Sequence, residues 1–575
     1  VNSPSLCFDF PQPLRFENPL HIITAYSLAE VRPALSAVQN AADSGLYAAG
    51  YVAYEAAPAF DPAIQVIAPD PSLPLVWFGI FSEPAPSDEE PFAGAYSLSE
   101  WAAEDDYEHY ESALHSIREK IAAGDVYQVN QTFRLNARFQ GDPRGLYHHL
   151  CGTHPPIFPA CLEMGRHCLL SASPELFFHR DGEHILTRPM KGTRRRGRWQ
   201  EEDDLIAAEL AASEKDRAEN VMIVDLLRND LGRLSVPGSV QVPQLFEIER
   251  HATVWQMTST IEAQLRPRTS LEEIFTALFP CGSVTGAPKI SAAHLITRHE
   301  ISPRGIYCGA VGYLTPYSEA VFNVAIRTAW IDKIKETIQY GIGGGIVWDS
   351  IAEAEYQEAW TKARLITECS PAFDLLETLR WENGAYALLD RHITRLLASA
   401  AYFGFNASEE EIRDALQAHS CLRPGGSWRV RLCVSAQGKP TIESAPLDIW
   451  PSIPQAVALA KTPIERGDKF LCHKTTHRAV YDRHMQEQPA CFDVLLWNED
   501  GELTEFTRGN LVLELSGERW TPPRSCGLLN GTQRAELLES GELKERILRR
   551  EDLETATRIW LLNSVRGLVP VQFVS

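Results

Sequence analysis

Two groups of carboxylates, a glycine run and one lysine flanked by histidines are the places where residue type and spacing in this 575-residue chain suit chemistry better than packing. Glu219 and Asp225 lie on a helical stretch that ends in Arg228-Asn229-Asp230, and Glu353, Glu355 and Glu358 follow the turn GIGGGIVWDS at 341–350. Two separated carboxylate groups are what a hard cation such as Mg2+ needs, with its other positions left to waters and an anionic substrate. On spacing alone, a solvated helix face is the simpler account. GIGGGIV is no phosphate loop of the GxxxxGK[ST] type, and acidic residues rather than a dinucleotide-fold helix follow it, so NAD binding is rejected. Consecutive glycines do let backbone N–H groups approach a ligand carboxylate closely. Further on, Lys474 stands in CHKTTHR between His473 and His477, and no third ligand accompanies the histidines to make a zinc site. RSCGLLNGTQRAELL (524–538) reads as a glycine turn opening a helix, a setting that suits a phosphate group.

These residues need elements to hold them. The length predicts two to five domains at about 150 residues each. Hydrophobic residues at 44% and charged residues at 23% exclude wholesale disorder. With 54 basic and 76 acidic side chains the net charge is −22, which argues against nucleic acid and anionic membrane as partners. No apolar run approaches the roughly 18 residues that span a bilayer, and VNSPSLCFDFPQP lacks the features of a signal peptide. Twelve cysteines without a CxxC pair read as reduced thiols. A cytoplasmic multidomain protein is expected.

YAAGYVAYEAAPAF (47–60) and LPLVWFGIF (73–81) read as buried strands, and PSDEEPFAG (86–94) as a polar connection. Residues 106–124 read as a helix with Tyr107, Tyr110, Leu114, Ile117 and Ile121 on one face, and residues 199–230 as helical for most of their length. Near residue 370 the texture changes. FDLLETLRWENGAYALLDRHITRLL predicts a hairpin around Asn383-Gly384 and then an amphipathic helix, and 428–444 a second hairpin. The major boundary is placed there, giving domains 1–370 and 371–575.

In the first domain SPELF (173–177), RPMKGT (188–193), ENVMIVDLLRNDLGR (219–233), LFPCGSVTGAPKISA (278–292), RGIYCGAVGY (304–313), FNVAIRT (322–328) and GGGIVWDSIAEAEYQE (343–358) follow in order. Together they resemble the chorismate-utilising enzymes: anthranilate, isochorismate and salicylate synthases and aminodeoxychorismate synthase component I. Anthranilate synthases carry alanine in the PIAGT motif and aminodeoxychorismate synthases lysine in PIKGT. PMKGT, with Lys191, is similar to the latter.

The resemblance implies an α+β fold of antiparallel sheets with flanking helices. It implies Mg2+ held by Glu219 and Glu358, with Glu355, on the ring carboxylate of chorismate. Tyr307, Arg327, Lys362 and the backbone of Gly343, Gly344 and Gly345 hold the substrate's carboxylates. Glu175 is implied as general acid on the departing 4-hydroxyl, Lys191 as the nucleophile at C2, and Thr285 as a neighbour of the ring. Many relatives have histidine where this chain has Gln256, which is therefore given a binding role only. No glutaminase domain and no nucleophile-elbow cysteine is found, so a separate glutamine amidotransferase subunit is expected to supply ammonia.

The second domain resembles the fold-type IV pyridoxal-phosphate enzymes, through FDLLETLRW…LLDRHITRL, CHKTTHR, EDGELTEFTRGNLVLE and RSCGLLNGTQRAELL. The resemblance assigns Lys474 to covalent attachment of pyridoxal 5'-phosphate and Glu505 to its pyridine nitrogen. It assigns Arg395, Gly531 and Thr532 to the phosphate, with Asn510 and Thr378 near cofactor and substrate. Members of that family usually build their sites at a dimer interface, so a homodimer through this domain is one alternative, the other being that the fused first domain blocks that contact. Beside an aminodeoxychorismate synthase, the second domain is expected to be the lyase that yields 4-aminobenzoate for folate. Three rivals are an anthranilate- or salicylate-type enzyme fused to a transaminase, an aminodeoxychorismate supplier fused to one, and a silent partner-binding module.

Overall fold

The computed structural model describes residues 3–86, 94–152, 157–251, 254–367, 373–422, 425–447 and 453–574. The chain divides into two compact units, Val1–Arg195 with Ala207–Ser370, and Arg196–Ile206 with Pro371–Ser575. The boundary expected near 370, and most of the connection expected at 86–94, lie outside the described residues. Grouping of 196–206 with the second unit was not foreseen. Its basis is local: the Arg196 guanidinium sits 4.6 Å from the Tyr402 ring centre, and the Tyr402 hydroxyl donates to the Gly197 carbonyl at 2.7 Å.

The first unit is a face-to-face pair of antiparallel sheets, each of ten strands among the described residues. A cluster that includes Phe8, Leu162 and Leu169 from one sheet and Tyr51, Leu176 and Val311 from the other fills the space between them. Helices Leu28–Asp43, Glu214–Gly232 and Leu271–Leu278 cover the outer face of one sheet. Helices Tyr107–Ala122, Lys289–His299 and Ala352–Thr367 cover that of the other. Because both faces are covered, a central strand such as Val76–Phe81 is apolar throughout and buried at every residue.

Residues 106–124 form the expected helix, which Asp106 caps by accepting the His109 N–H at 2.8 Å. Two readings are corrected. Only Tyr47–Val52 of the segment 47–60 is a strand. Tyr54–Ala59 is a 3-10 helix, because the Glu55 carboxylate turns to accept the backbone N–H groups of Arg304 and Gly305 at 2.7 and 2.9 Å. The stretch 199–230 is helical for most of its length, as expected, in two helices, Gln200–Ala212 and Glu214–Gly232, the second capped by the Ser213 hydroxyl, which accepts the Asp216 N–H. GIGGGI is not a turn. It ends the strand Thr337–Ile346, with Gly343, Gly344 and Gly345 opposite Thr132, Gln131 and Asn130.

The second unit holds a four-stranded sheet and a larger mixed one. Asn383 and Gly384 take left-handed backbone angles (φ 53° and 89°) and turn the predicted hairpin as the type I′ geometry requires. On the strand Ser427–Val434, Val430, Leu432 and Val434 are buried and pack with Leu379, Ile393 and Leu396, leaving Arg429 and Arg431 on the other face. Helix Leu389–Phe403 ends at Gly404 in the left-handed conformation. In the larger sheet Leu503–Phe506, Asp493–Trp497, Gln455–Leu459, Gly567–Phe573, Arg558–Asn563 and Gly509–Leu515 pair in turn, and the last pairs with the first to close a ring. Among the described residues no helix is long and apolar enough to cross a membrane.

Candidate active sites

In the first unit Glu175, Lys191, Glu219, Gln256, Tyr307, Arg327, Gly343–Gly345, Glu355, Glu358 and Lys362 line one cavity of about 200 Å3. Lys191 is aimed into it by a break in register between Met190 and Thr193, where the strand Met190–Arg195 bulges against Val254–Gln264. Gly192 makes the bulge possible with φ 93°. The Gln256 amide holds it, accepting from the Thr193 hydroxyl at 2.9 Å and donating to the Gly192 carbonyl at 2.8 Å. The Lys191 ammonium nitrogen lies 3.8 Å from Glu219 and lies over Gly345, where a methyl group would come within 2.2 Å of it. Gly341 is required in the same way, because a Cβ there would fall 2.3 Å from the Tyr307 ring.

Glu175 is buried, and burial pushes its carboxyl up to about 7 against the opposing pull of the Ser283 hydroxyl, which donates to it at 2.6 Å, and of Lys191. A carboxyl that keeps its proton near neutrality is what a general acid needs. Arg327 has left-handed backbone (φ 50°), a costly conformation for a non-glycine residue, and makes no ion pair among the described residues. Beside it the buried Tyr340 hydroxyl has no hydrogen-bond partner among the described residues. Over 341–346 only one edge of the strand is paired among the described residues, since the register with Thr328–Asp332 ends at Tyr340. These groups can receive an anion.

The three expected metal ligands share the cavity but do not form a closed cage, and among the described residues no three His, Cys, Asp or Glu side chains converge on one point. Each is paired with its nearest donor instead. Glu219 faces Lys191 and Lys215 (4.0 Å), Glu355 accepts from the Ser350 hydroxyl (2.7 Å), and Glu358 pairs with Lys362 (2.9 Å). Lys362 also donates to the Gly343 carbonyl at 2.9 Å. It holds Glu358 low, whereas burial and the neighbouring Glu358 push Glu355 up. A donor set of hard carboxylate oxygens from two helices, one of them destabilised by a like charge, suits Mg2+ completed by substrate and water.

Thr285 is not where the sequence suggests. It is fully buried, donates to the Cys281 carbonyl at 2.9 Å and does not line the cavity. The 3-10 turn Gly282–Val284 swings Ser283 to the ligand side instead, a choice that the word SVTGAPK does not reveal.

In the second unit Thr378, Arg395, Lys474, Glu505, Asn510, Gly531 and Thr532 line a cavity of about 710 Å3. Lys474 lies on the segment tied to the small sheet by the Leu376 N–H, which donates to its carbonyl at 2.9 Å. Burial lowers its ammonium to about 8, with Arg395 and Arg478 adding to the effect and Glu377 and Glu505 opposing it. Glu505 is buried on the strand Leu503–Phe506 and pushed up to about 7 by that burial. It accepts from the Tyr481 hydroxyl (2.8 Å), the Leu529 N–H (3.2 Å) and the Asn510 amide (3.1 Å). Gly531 caps helix Thr532–Glu539, and a Cβ on it would fall 2.0 Å from the Asn510 amide oxygen.

A lowered amine, a buried carboxyl free of any salt bridge and a glycine-opened helix beside Arg395 suit pyridoxal phosphate. The flanking histidines diverge: His473 stacks on Tyr402 and is pressed down to about 3 by burial, while His477 packs edge-on against Phe470. Tyr481, Arg429 and Arg431 line the cavity from outside the quoted motifs, and Arg478 lines it from within CHKTTHR, where the resemblance assigns it no role.

Residues 5–368 match the family model described as chorismate binding enzyme, and residues 374–574 the model for amino-transferase class IV. Aminodeoxychorismate synthase component 1 of Escherichia coli (strain K12) is 41% identical over 268 residues, 47% of this chain and 59% of that protein. Anthranilate synthase component 1 of Aquifex aeolicus (strain VF5) is 37% identical over 266 residues, 46% of this chain and 53% of that protein. The chain thus spans little more than half the length of these curated relatives. Among solved structures, anthranilate synthase component I from Streptococcus pneumoniae TIGR4 superposes with a TM-score of 0.53 at 25% identity, covering 64% of this chain and 92% of that one.

Proposed function

From the premise that this chain belongs to the chorismate-binding enzymes and carries a class IV amino-transferase domain behind that unit, we propose that it makes 4-aminobenzoate in two steps: amination of chorismate at C4, then elimination of pyruvate. The observation that carries the first step is the meeting of Lys191, the neutral-range acid Glu175 and three carboxylates in one cavity. Glu219, Glu358 and Glu355 would hold Mg2+, which supplies charge neutralisation at the ring carboxylate. Arg327, Tyr340 and the unpaired strand edge receive the remaining anionic groups. The Lys191 amine forms a bond to C2, the ring double bonds shift toward C4, and the C4–O bond breaks as Glu175 delivers its proton to the departing oxygen. Ammonia then bonds to C4, the double bonds shift back and Lys191 is released. A separate glutamine amidotransferase subunit is the proposed ammonia source.

In the second unit, pyridoxal phosphate bound through Lys474 supplies an electron sink for the carbon that bears the amine. Glu505 would pair with the pyridine nitrogen, and Arg395, Gly531 and Thr532 would hold the phosphate. Lys474, freed when the substrate's amine takes its place, would take the C4 proton, and the C3–O bond would break so that enolpyruvate departs as the ring becomes aromatic. Fusion raises the local concentration of the intermediate between the two steps.

Product analysis tests both assignments. Purified protein with chorismate, Mg2+, ammonium and pyridoxal phosphate is expected to release 4-aminobenzoate and pyruvate, and Lys474→Ala to stall at aminodeoxychorismate. Release of anthranilate or salicylate by the wild type overturns the role of Lys191. Accumulation of aminodeoxychorismate by the wild type overturns the lyase and leaves a transaminase.

A further inference from the structure

Glu377 is 1% exposed and takes no part in the chemistry described above. It sits on the strand Leu375–Glu382 and accepts from Arg395 through Nε at 2.9 Å and Nη2 at 2.7 Å. The same carboxylate meets His392 Nδ1 at 2.6 Å. Burial alone would push this carboxyl up, but Arg395 and His392 hold it down at about 2, so it is ionised. His392 and Arg395 stand three residues apart on helix Leu389–Phe403 and therefore share a face.

Beyond Glu377 the two side chains reach the same short segment. Arg395 Nη1 donates to the Asn530 carbonyl at 3.0 Å, and His392 Nε2 lies 3.2 Å from the Thr532 hydroxyl. Asn530 and Thr532 bracket Gly531, the residue that opens helix Thr532–Glu539. One buried anion therefore grips a guanidinium directly and a helix N-terminus through an imidazole. Neutralising Arg395 would need only the bidentate contact. The His392 arm adds nothing to that neutralisation, and its far end is at the helix start.

We propose that Glu377 is the positioning residue of a phosphate cradle, holding Arg395 directly and Thr532 through His392 so that guanidinium and helix N-terminus face one phosphoryl group. The inference rests on the reading of this cavity as a pyridoxal-phosphate site. It predicts that Glu377 governs how well the site distinguishes a phosphorylated ligand from the same ligand without phosphate.

The test compares the dissociation constants of the full-length apo-protein for pyridoxal 5'-phosphate and for pyridoxal, read from the visible absorbance of the bound aldehyde. In Glu377→Gln the preference for the phosphorylated compound is expected to fall by about tenfold or more, the weight of a lost charge-assisted hydrogen bond. His392→Gln, which removes one arm only, is expected to give a smaller fall in the same direction. A merely structural Glu377 would weaken both ligands alike or lower the melting temperature without changing their ratio, and that result overturns the proposal. If Glu377→Gln does not fold, the ratio in His392→Gln decides by the same criterion. A wild type that binds neither compound overturns the cofactor reading and the proposal with it. A wild type that prefers the phosphorylated compound, with an unchanged ratio in the variants, overturns the proposal alone.

Discussion

Replacing Glu175 by glutamine separates two consequences of burying a carboxyl group. The side chain is 2% exposed, and burial moves the loss of its proton from about 4.5 to about 7. Below pH 4.5 folded and unfolded chains both carry the proton, and Glu175 has no effect on stability. Between 4.5 and 7 the unfolded chain releases the proton while the folded one keeps it, so stability falls as pH rises. At about 1.4 kcal/mol per pH unit the penalty reaches about 3 kcal/mol above pH 7. Glutamine does not ionise, and its amide oxygen can still accept the Ser283 hydroxyl that now lies 2.6 Å from the carboxylate. E175Q should therefore equal the wild type in stability near pH 4.5 and exceed it by about 3 kcal/mol at pH 8, a gain of a few degrees for a unit of this size. Chorismate consumption should move the other way, falling about 10²- to 10⁴-fold because an amide cannot protonate the departing oxygen. In the wild type the same step should slow as pH rises through about 7, where Glu175 loses its proton. Melting curves and chorismate turnover for both proteins at pH 5 and pH 8 measure all of this. A variant that gains no stability between the two pH values, or that keeps its turnover, refutes the assignment of a burial-raised acid.

Gly345→Ala places a methyl group 2.2 Å from the Lys191 nitrogen and 2.6 Å from the Gln128 amide, so the amine must move. We expect kcat for chorismate amination to fall at least about tenfold with little change in melting temperature, and unchanged kcat would show that Lys191 is not confined as described. Removing divalent cations with a chelator should abolish chorismate consumption while conversion of supplied aminodeoxychorismate continues. Equal loss of both activities would mean that the carboxylates of the first unit are not the metal-dependent site.

Periodicity made much of the fold legible. Tyr110, Leu114 and Ile117 repeat at helical spacing and are buried, and Asn383-Gly384 turns the hairpin that its backbone angles allow. Failures came where one polar contact outweighed local preference. Glu55 reaches two backbone N–H groups some 250 residues away and curls its own segment into a 3-10 helix. Three consecutive glycines read as a turn because glycine marks turns in isolation. Here Gly345, with Gly341 before the run, keeps one strand face bare so that Lys191 and Tyr307 can lie against it, a requirement set by residues distant in sequence.

The candidate sites divide along the same line. Lys191, Glu175, Lys474 and Glu505 were legible because a rare word or an isolated charge marks each of them. What equips them for chemistry is not in those words. Lys191 points inward because the bulge at Gly192 is held by the Gln256 amide from a neighbouring strand. Glu175 and Glu505 hold protons near neutrality, and Lys474 releases one early, chiefly because burial disfavours the charged form of each, with Arg395 and Arg478 adding to the effect at Lys474. Any carboxyl or amine at those positions in an open cleft would titrate as it does in water and could neither donate nor accept a proton at neutral pH with the required ease. Residues that act through others carry even less signal. Ser283 tunes Glu175 from outside the word that names it, and Glu377 steadies Arg395 from within FDLLETLRW, where nothing marks it, so a change at either is expected to alter the working pH or the ligand preference of a site whose reacting groups are all intact.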